Sequence, residues 1–246
     1  MACTNTITTV QIWVASYISQ RLTSGVVSLT EPALTAANKT MQFILSAPLI
    51  WEWNRASAVS AITTVAGTSD YAVSLANFGF LEKATLVNAS PIGNTPPNFE
   101  LDVYKSLSKD GKQNRPSKIA TLLDNNAGSI TFRLFPVPDA VYTVDLLYQN
   151  APILATAGGS GLSSTWAPIP DKMAYLYEEG FRAEMQLMYN SQAGIAGMER
   201  FFRMVVGAAE GLSEMEKAIF LEESLRGLKT RTAELTNIQQ GRQARQ

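Results

Sequence analysis

The chain has 246 residues, of which 46% are hydrophobic, so it has enough apolar material for a core of its own. Its formal net charge of −1 gives no overall attraction to nucleic acid. Histidine is absent and Cys3 is the only cysteine, which excludes histidine-based catalysis, histidine-ligated metals and internal disulfides. The N-terminus lacks the layout of a signal peptide, and no apolar run approaches the roughly 18 residues of a membrane span. We expect a soluble protein made in a reducing cytoplasm.

Two amphipathic helices are predicted at the start of the chain. Apolar residues recur at helical spacing from Val10 to Leu22 and again from Leu34 to Leu45, with Gly25 between the two segments. Pro32 suits the first turn of the second helix, and Pro48 should end it.

A β-rich centre follows. Short segments rich in β-branched residues alternate with turn-forming spacers such as SPIGNTPPN and DNNAG, which favours an antiparallel β-sandwich or a small barrel. The candidate strands are residues 57–65, 71–75, 84–88, 99–104, 119–123, 129–135 and 142–149.

The stretch GSITFRLFPVPDAVYTVDLLYQN, from Gly128 to Asn150, is the clearest β signal. Apolar and polar residues alternate on both sides of a corner, and Pro136 and Pro138 prevent the first strand from continuing past Phe135. The pattern predicts a hairpin of two strands that packs and presents a surface, because it contains no reactive residue.

Helices are predicted again after a connector at residues 156–170. Asp171 stands where a helix cap is needed, and an apolar stripe runs from Met173 to Met188. Gly194 and Gly197 predict a break before a second stripe from Met198 to Met215, so the two helices should form an antiparallel pair. The AGGSG run in the connector is not a phosphate loop, because no lysine follows it.

The end of the chain, residues 229–246, loses the apolar period and predicts an extended tail that cannot bury itself. The tail is interpreted either as a frayed end or as a segment that becomes ordered against a partner, with its apolar residues docking and its cations pairing with acids or phosphate. The candidate docking residues are Arg226, Lys229, Arg231, Leu235, Ile238, Arg242 and Arg245.

A basic segment lies between two predicted strands and should form a long loop or a short helix. Its cations are Lys105, Lys109, Lys112, Arg115 and Lys118, against Asp110. One interpretation is a solvated loop tip, and the other is a basic finger that faces nucleic acid or an acidic partner.

The remaining polar and aromatic residues predict no catalytic, cofactor or metal site. The acids on the first C-terminal helix are expected to lie in solvent or at a subunit contact, and the turn and strand aspartates to stabilise turns. The tryptophans are expected to pack at the junction of the helical and β parts instead of stacking on sugars or bases. These residues are Glu178, Glu179, Glu184, Asp70, Asp139, Asp145, Trp51, Trp53 and Trp166.

From about Thr9 to Leu228 the chain resembles the head-to-tail adaptor proteins of tailed bacteriophages, and most closely the tubular adaptor or gatekeeper ring of short-tailed phages. The resemblance rests on the order of helices and strands and on a few scaffold residues. These are Trp51 and Trp53, the strand residue Tyr71, and the P-x-P-D-x-x-Y corner formed by Pro136, Pro138, Asp139 and Tyr142.

The resemblance implies a non-enzymatic virion protein in the neck, made in the host cytoplasm and without a cofactor. Its copies would form a closed ring of twelve beneath the portal, with DNA passing through the channel, a downstream tail or nozzle protein below, and the C-terminal tail reaching onto the portal. Residues 171–223 contain ten acids against five bases, which suits a channel wall that repels DNA.

The fold class expected is α+β, in which helices at residues 1–50 and 171–228 form one bundle and residues 51–155 form an inserted antiparallel β domain. Two other functions stay open at this point. One is a β-sandwich module that recognises carbohydrate or another surface, which exposed tryptophans would favour. The other is a carboxylate-dependent lytic enzyme carried in the virion, for which the sequence offers no acid pair.

Overall fold

The computed structural model describes residues 33–87, 91–94, 113–124, 129–154, 168–189 and 191–243, and it confirms the predicted α+β class. The described helices are Ala33–Ile44 (α1), Ala174–Tyr189 (α2), Ser191–Ala208 (α3) and Glu214–Gln243 (α4). The described strands are Arg55–Thr63 (β1), Asp70–Ser74 (β2), Phe78–Leu86 (β3), Pro91–Asn94 (β4), Lys118–Asp124 (β5), Ser129–Phe135 (β6) and Thr143–Asn150 (β7).

The chain divides into two compact units. The helical unit comprises Met1–Trp53 and Pro152–Gln246, and the β unit comprises Asn54–Ala151. Each unit has a hydrophobic core of its own. The helix predicted at residues 10–22, the strand predicted at 99–104 and most of the predicted connector lie outside the described residues.

The β unit is built from two antiparallel sets of three strands, β1-β7-β3 and β5-β6-β2. Strand β4 joins them, since it pairs antiparallel with β3 and parallel with β5. Alternate residues of both sets, such as Phe132 on β6 and Leu146 on β7, bury their side chains in one core, as in a β-sandwich. No ladder joins β1 to β2 within the described residues, so the expected alternative of a small closed barrel is wrong.

The strands on either side of the proline corner were correctly predicted, but their pairing as a hairpin was wrong. Strand β6 ends at Phe135, directly before Pro136, and pairs with β2 and β5, whereas β7 pairs with β1 and β3. The corner therefore carries the chain from one set of strands to the other. An alternating pattern fixes which face of a strand is buried, and it does not identify the neighbouring strand.

The helical unit depends on close approach between α2 and α3. A Cβ atom placed on Gly194 would lie 2.3 Å from the Cα atom of Leu187, and one placed on Gly180 would lie 2.6 Å from side-chain atoms of both Thr40 and Phe201. No side chain fits at either position. The predicted break at Gly194 and Gly197 is wrong, because both glycines lie inside α3 and serve helix packing instead of a turn.

Aromatic side chains fill the core of the helical unit. Trp51 is fully buried, and its Nε1 donates a hydrogen bond of 2.7 Å to the carbonyl oxygen of Ile44. Phe43 on α1 stacks on Phe202 of α3 with ring centroids 4.4 Å apart. The interpretation of Trp51 as a packing residue is confirmed, and α1 lies within the range predicted for the second N-terminal helix.

The C-terminal segment is helical and not extended. Helix α3 ends at Ala208, Gly211 adopts a positive φ of 73°, and α4 then continues to Gln243. The predicted extended tail at residues 229–246 is therefore wrong up to residue 243. Most residues of this segment are good helix formers: lysine, arginine, alanine, glutamate, leucine and glutamine. The missing apolar period shows only that the helix has no buried face, and it does not exclude a helix.

Replacement of Gly194 by alanine should lower the free energy of unfolding by about 1–3 kcal/mol, because the added methyl group overlaps the backbone of Leu187. Gly227→Ala is the matched control. It lies in α4 with open space around the new atom, and helix propensity predicts a gain of about 0.5–1 kcal/mol. Urea unfolding followed by circular dichroism measures both values. Equal effects of the two substitutions would contradict the close approach of α2 and α3.

Candidate functional site

Helix α4 starts at a fixed residue because a capping box closes its first turn. The backbone N–H and the hydroxyl of Ser213 donate to Oε2 of Glu216 at 2.8 and 2.7 Å, and the N–H of Glu216 donates to Ser213 Oγ at 3.3 Å. The hydrogen bonds from Ser213 hold the pKa of Glu216 below its ordinary value, since they stabilise the carboxylate.

One side of α4 packs on the helical core and the opposite side faces solvent. Phe220, Leu221, Leu225 and the buried Leu228 contact the core. On the other side the side chains of Met215 and Ile219 are 74% and 48% exposed, one turn apart. We call this side the α4 outer face, and its residues are Met215, Ile219, Glu222, Glu223 and Arg226.

A shallow groove of about 430 Å³ runs along α3. We call it the α3 groove, and its lining residues are Ala196, Glu199, Arg200, Arg203 and Met204. Arg200 Nε donates to Glu179 Oε1 at 2.8 Å, and Glu179 also lies 3.7 Å from Arg182, so the Arg200 side chain is held in place. Arg203 is exposed, and no described acid lies within ion-pair distance of it.

Three segments of the β unit, residues 64–69, 113–117 and 136–142, are tied together at one end of the strands. The Gly67 N–H donates to the Pro138 carbonyl and the Asn114 N–H donates to the Val137 carbonyl, both at 2.9 Å. The hydroxyl of Tyr71 donates to the Thr68 carbonyl at 2.7 Å. We call this cluster the β tip, and its hydrogen bonds give it a defined surface.

The β tip exposes apolar side chains beside charged ones. Val65 and Val141 are 58% and 71% exposed, and they follow and precede the paired residues Thr64 and Tyr142 on adjacent segments. The hydroxyl of Tyr142 donates to Asp139 Oδ1 at 2.8 Å, and this hydrogen bond raises the pKa of Tyr142. The P-x-P-D-x-x-Y corner is thus part of a surface suited to contact another protein.

A comparison with models of protein families matches residues 3–219, nearly the whole chain, to the family described as SU10 adaptor protein. The chain belongs to the SU10 adaptor protein family. The adaptor is accordingly a structural phage protein and a virion component that interacts with other head–tail components, and the family indicates a non-enzymatic role. The expected resemblance to phage adaptors is confirmed at this level, and the gatekeeper variant stays a prediction. A search of curated proteins finds no match.

The predicted docking residues of the adaptor fall on α4 or beyond it. The side chains of Arg226 and Lys229 are exposed. Positions 231, 235, 238 and 242 belong to the helical backbone of α4, but their side chains lie outside the described residues, as does Arg245.

Only the end of the predicted basic loop belongs to the described part of the adaptor. Arg115 lies exposed in the β tip, and Lys118 is the exposed first residue of β5. Lys105, Lys109 and Lys112 lie outside the described residues. A bridge between Gln113 and Val137 ties this end of the loop to the proline corner, and its contact with DNA or an acidic partner stays a prediction.

The acids of α2 differ from the expectation that all of them lie in solvent or at a subunit contact. Glu184 is only 4% exposed and lies inside the helical unit, and Glu179 pairs with Arg200. The sequence did contain a signal for Glu184, because it lies three and seven residues after Phe181 and Tyr177, on the buried side of the helix. Helical periodicity therefore places Glu184 on the buried face, although a charged residue there is unusual.

The described part of the adaptor has neither a metal site nor a membrane-spanning helix. No group of three or more cysteine, aspartate or glutamate side chains is arranged to hold a metal ion among the described residues. No described helix combines the length and the apolar character needed to cross a membrane.

Asp70, at the edge of the β tip, should make stability depend on pH. Arg133 Nε and Nη2 donate to its two carboxylate oxygens at 2.6 and 2.5 Å, and this hydrogen bonding lowers the pKa of Asp70 from its ordinary value of 3.8. The pair therefore contributes fully above that value, and the contribution is lost as the pH falls through the lowered pKa.

The corresponding test is Asp70→Asn. The variant should be less stable than the wild type at pH 7, and the difference should shrink below pH 3.8. Urea unfolding at several pH values measures it, with Glu210→Gln as a control that removes an exposed carboxylate without an ion pair among the described residues. A difference that stays constant with pH would contradict this role of the ion pair.

Proposed function

We propose that the adaptor forms a closed ring in the neck of the virion, of twelve copies by its resemblance to phage head-to-tail adaptors. The ring binds the portal above and the next tail or nozzle protein below, links the capsid to the tail, and lets DNA pass through its channel during ejection. Membership in the SU10 adaptor protein family supports this proposal.

The observation that carries the proposal is the length of α4. The helix packs on its own core as far as Leu228 and continues to Gln243, which adds about 22 Å at about 1.5 Å per residue. A helix that continues this far beyond its described core contacts is suited to reach another molecule. The portal contact is therefore proposed for a helix instead of an extended tail, which reduces the conformational entropy lost on binding.

The proposed portal-docking residues follow from the composition of this segment. Position 235 lies two turns after Leu228 and so continues the same side of the helix. We assign the apolar part of the contact to Leu235 and Ile238. The cations assigned to pairing with portal acids are Lys229, Arg231, Arg242 and Arg245. Arg226 pairs with Glu222 within α4 at 3.1 Å and lies before Leu228, so it is not part of this set.

Two observations favour the ring adaptor over the other functions considered. Residues 171–223 keep ten acids against five bases, which supports a channel wall that repels DNA. Trp51 is buried and Trp53 is half-buried in the helical unit, so these two tryptophans provide no open stacking platform for sugars.

Truncation after Leu228 should leave a folded protein that no longer binds the portal, because it removes the proposed contact and leaves the described core intact. Co-sedimentation with purified portal measures binding, and circular dichroism checks the fold. A full-length variant with Lys229, Arg231 and Arg242 replaced by glutamate should lose binding as well, whereas Lys39→Glu, an exposed cation on α1, should not. Undiminished binding by the truncated chain would reject the docking assignment.

The mass of the purified protein tests the ring itself. We expect a monomer in isolation and a closed multimer in the presence of the portal, because each copy gains both neighbour and portal contacts only there. Native mass spectrometry with and without portal measures this. A single copy bound per portal assembly would overturn the ring.

A further inference from the structure

The α4 outer face exposes two apolar side chains to solvent, on the side of the helix opposite its core contacts. Met215 and Ile219 lie one turn apart and are both largely exposed, so they form a continuous patch and not two isolated side chains. Beyond the patch, the outer face carries Glu222, Glu223 and Arg226. A contact that covers this face would have to match both the apolar pair and the charges.

The α3 groove offers cations for such a contact. Ala196 and the partly buried Met204 provide its apolar lining, and Arg200 and Arg203 provide cations. Towards the end of α3, Gly207 is exposed and open space surrounds the position of a Cβ atom, so a neighbouring helix is able to approach the backbone there.

The order of charges on the two helices is complementary for antiparallel packing. On α3 an acid, Glu199, precedes a base, Arg203, by four residues, and on α4 the acid Glu222 precedes the base Arg226 by four residues. Glu222 and Arg226 pair with each other within α4 at 3.1 Å, but both side chains are exposed, so this pair contributes little and its charges remain open to partners on a neighbouring helix. Two antiparallel helices therefore place Glu199 opposite Arg226 and Arg203 opposite Glu222. In this register Ile219 lies one turn further on, near Gly207.

The two surfaces of one copy do not meet each other. Helix α4 packs on its own core through Leu221, Leu225 and Leu228, so its outer face points away from that core and from the α3 groove of the same copy. The partner must therefore be another molecule. Two different surfaces that complement each other give a head-to-tail contact between identical copies, and such contacts close into a ring when the rotation allows.

We propose that the α4 outer face of one copy packs antiparallel on α3 of the next copy, with Arg203 of the α3 groove paired with Glu222 and with Ile219 covered beside Gly207. This assignment rests on the proposed ring and identifies the surfaces that build it. The contact is polar at its rim, so its strength falls as salt concentration rises.

Charge reversal in the full-length chain tests the contact. Arg203→Glu alone and Glu222→Arg alone should each raise the protein concentration for half-assembly about tenfold at low salt, because each places like charges opposite each other. The double variant should recover. An equal mixture of the two single variants should also recover, because every contact in an alternating ring then regains one acid and one base.

Native mass spectrometry, with portal added if the wild type is monomeric without it, gives the assembled fraction. Lys39→Glu is the control, since it reverses an exposed charge on α1, outside the two surfaces. Single variants that assemble like the wild type would overturn this contact and leave the ring standing. A wild type that forms no multimer under any of these conditions would overturn the ring and the contact with it.

Discussion

The contact that the helical unit depends on is the approach of α2 to α3 without intervening side chains. Gly194 meets the backbone of Leu187, and Gly180 meets Phe201 and Thr40, so three helices come together at positions where only hydrogen fits. Phe43 of α1 then reaches both Phe202 of α3 and Phe220 of α4, whose ring centroids lie 4.4 and 5.9 Å away. The position of α4, and hence of its outer face, follows from these contacts.

Both units hold apolar side chains exposed to solvent, and they do so by different contacts. In the helical unit one helix has a packed side and a solvent side, the packed side is set by Phe220, Leu221 and Leu228, and the capping box at Ser213 fixes where the helix begins. In the β unit, hydrogen bonds between segments that are far apart in sequence hold Val65 and Val141 out of the core. In both units the exposed apolar groups stand on well-tied backbone, which lowers the entropy lost when a partner covers them.

The sequence predicted helices and strands well where one face of the element is buried, because the apolar residues then recur with the period of that element. Alternation through Ile130, Phe132 and Leu134 gave β6, and Pro136 gave its end. The alternating pattern did not predict how the strands pair, because the neighbours of β6 and β7 are set by contacts between residues far apart in sequence. The sequence predicts a turn at Gly194, because glycine is common both in turns and at close contacts between helices and the sequence does not distinguish the two. The end of α4 was missed because a helix without a buried face has no apolar period.

In the proposed assembly the two halves of α4 serve different partners. The first half, with Ile219 and Glu222, contacts the neighbouring copy, and the second half, after Leu228, contacts the portal. Because both halves belong to one continuous helix, binding of a neighbour holds the second half in a fixed direction before the portal is met. Each copy then adds one portal contact of modest strength, and all the contacts of a ring point in the same direction. The ring therefore binds the portal more tightly than any single copy does. Assembly on the portal is favoured over attachment of single copies for this reason.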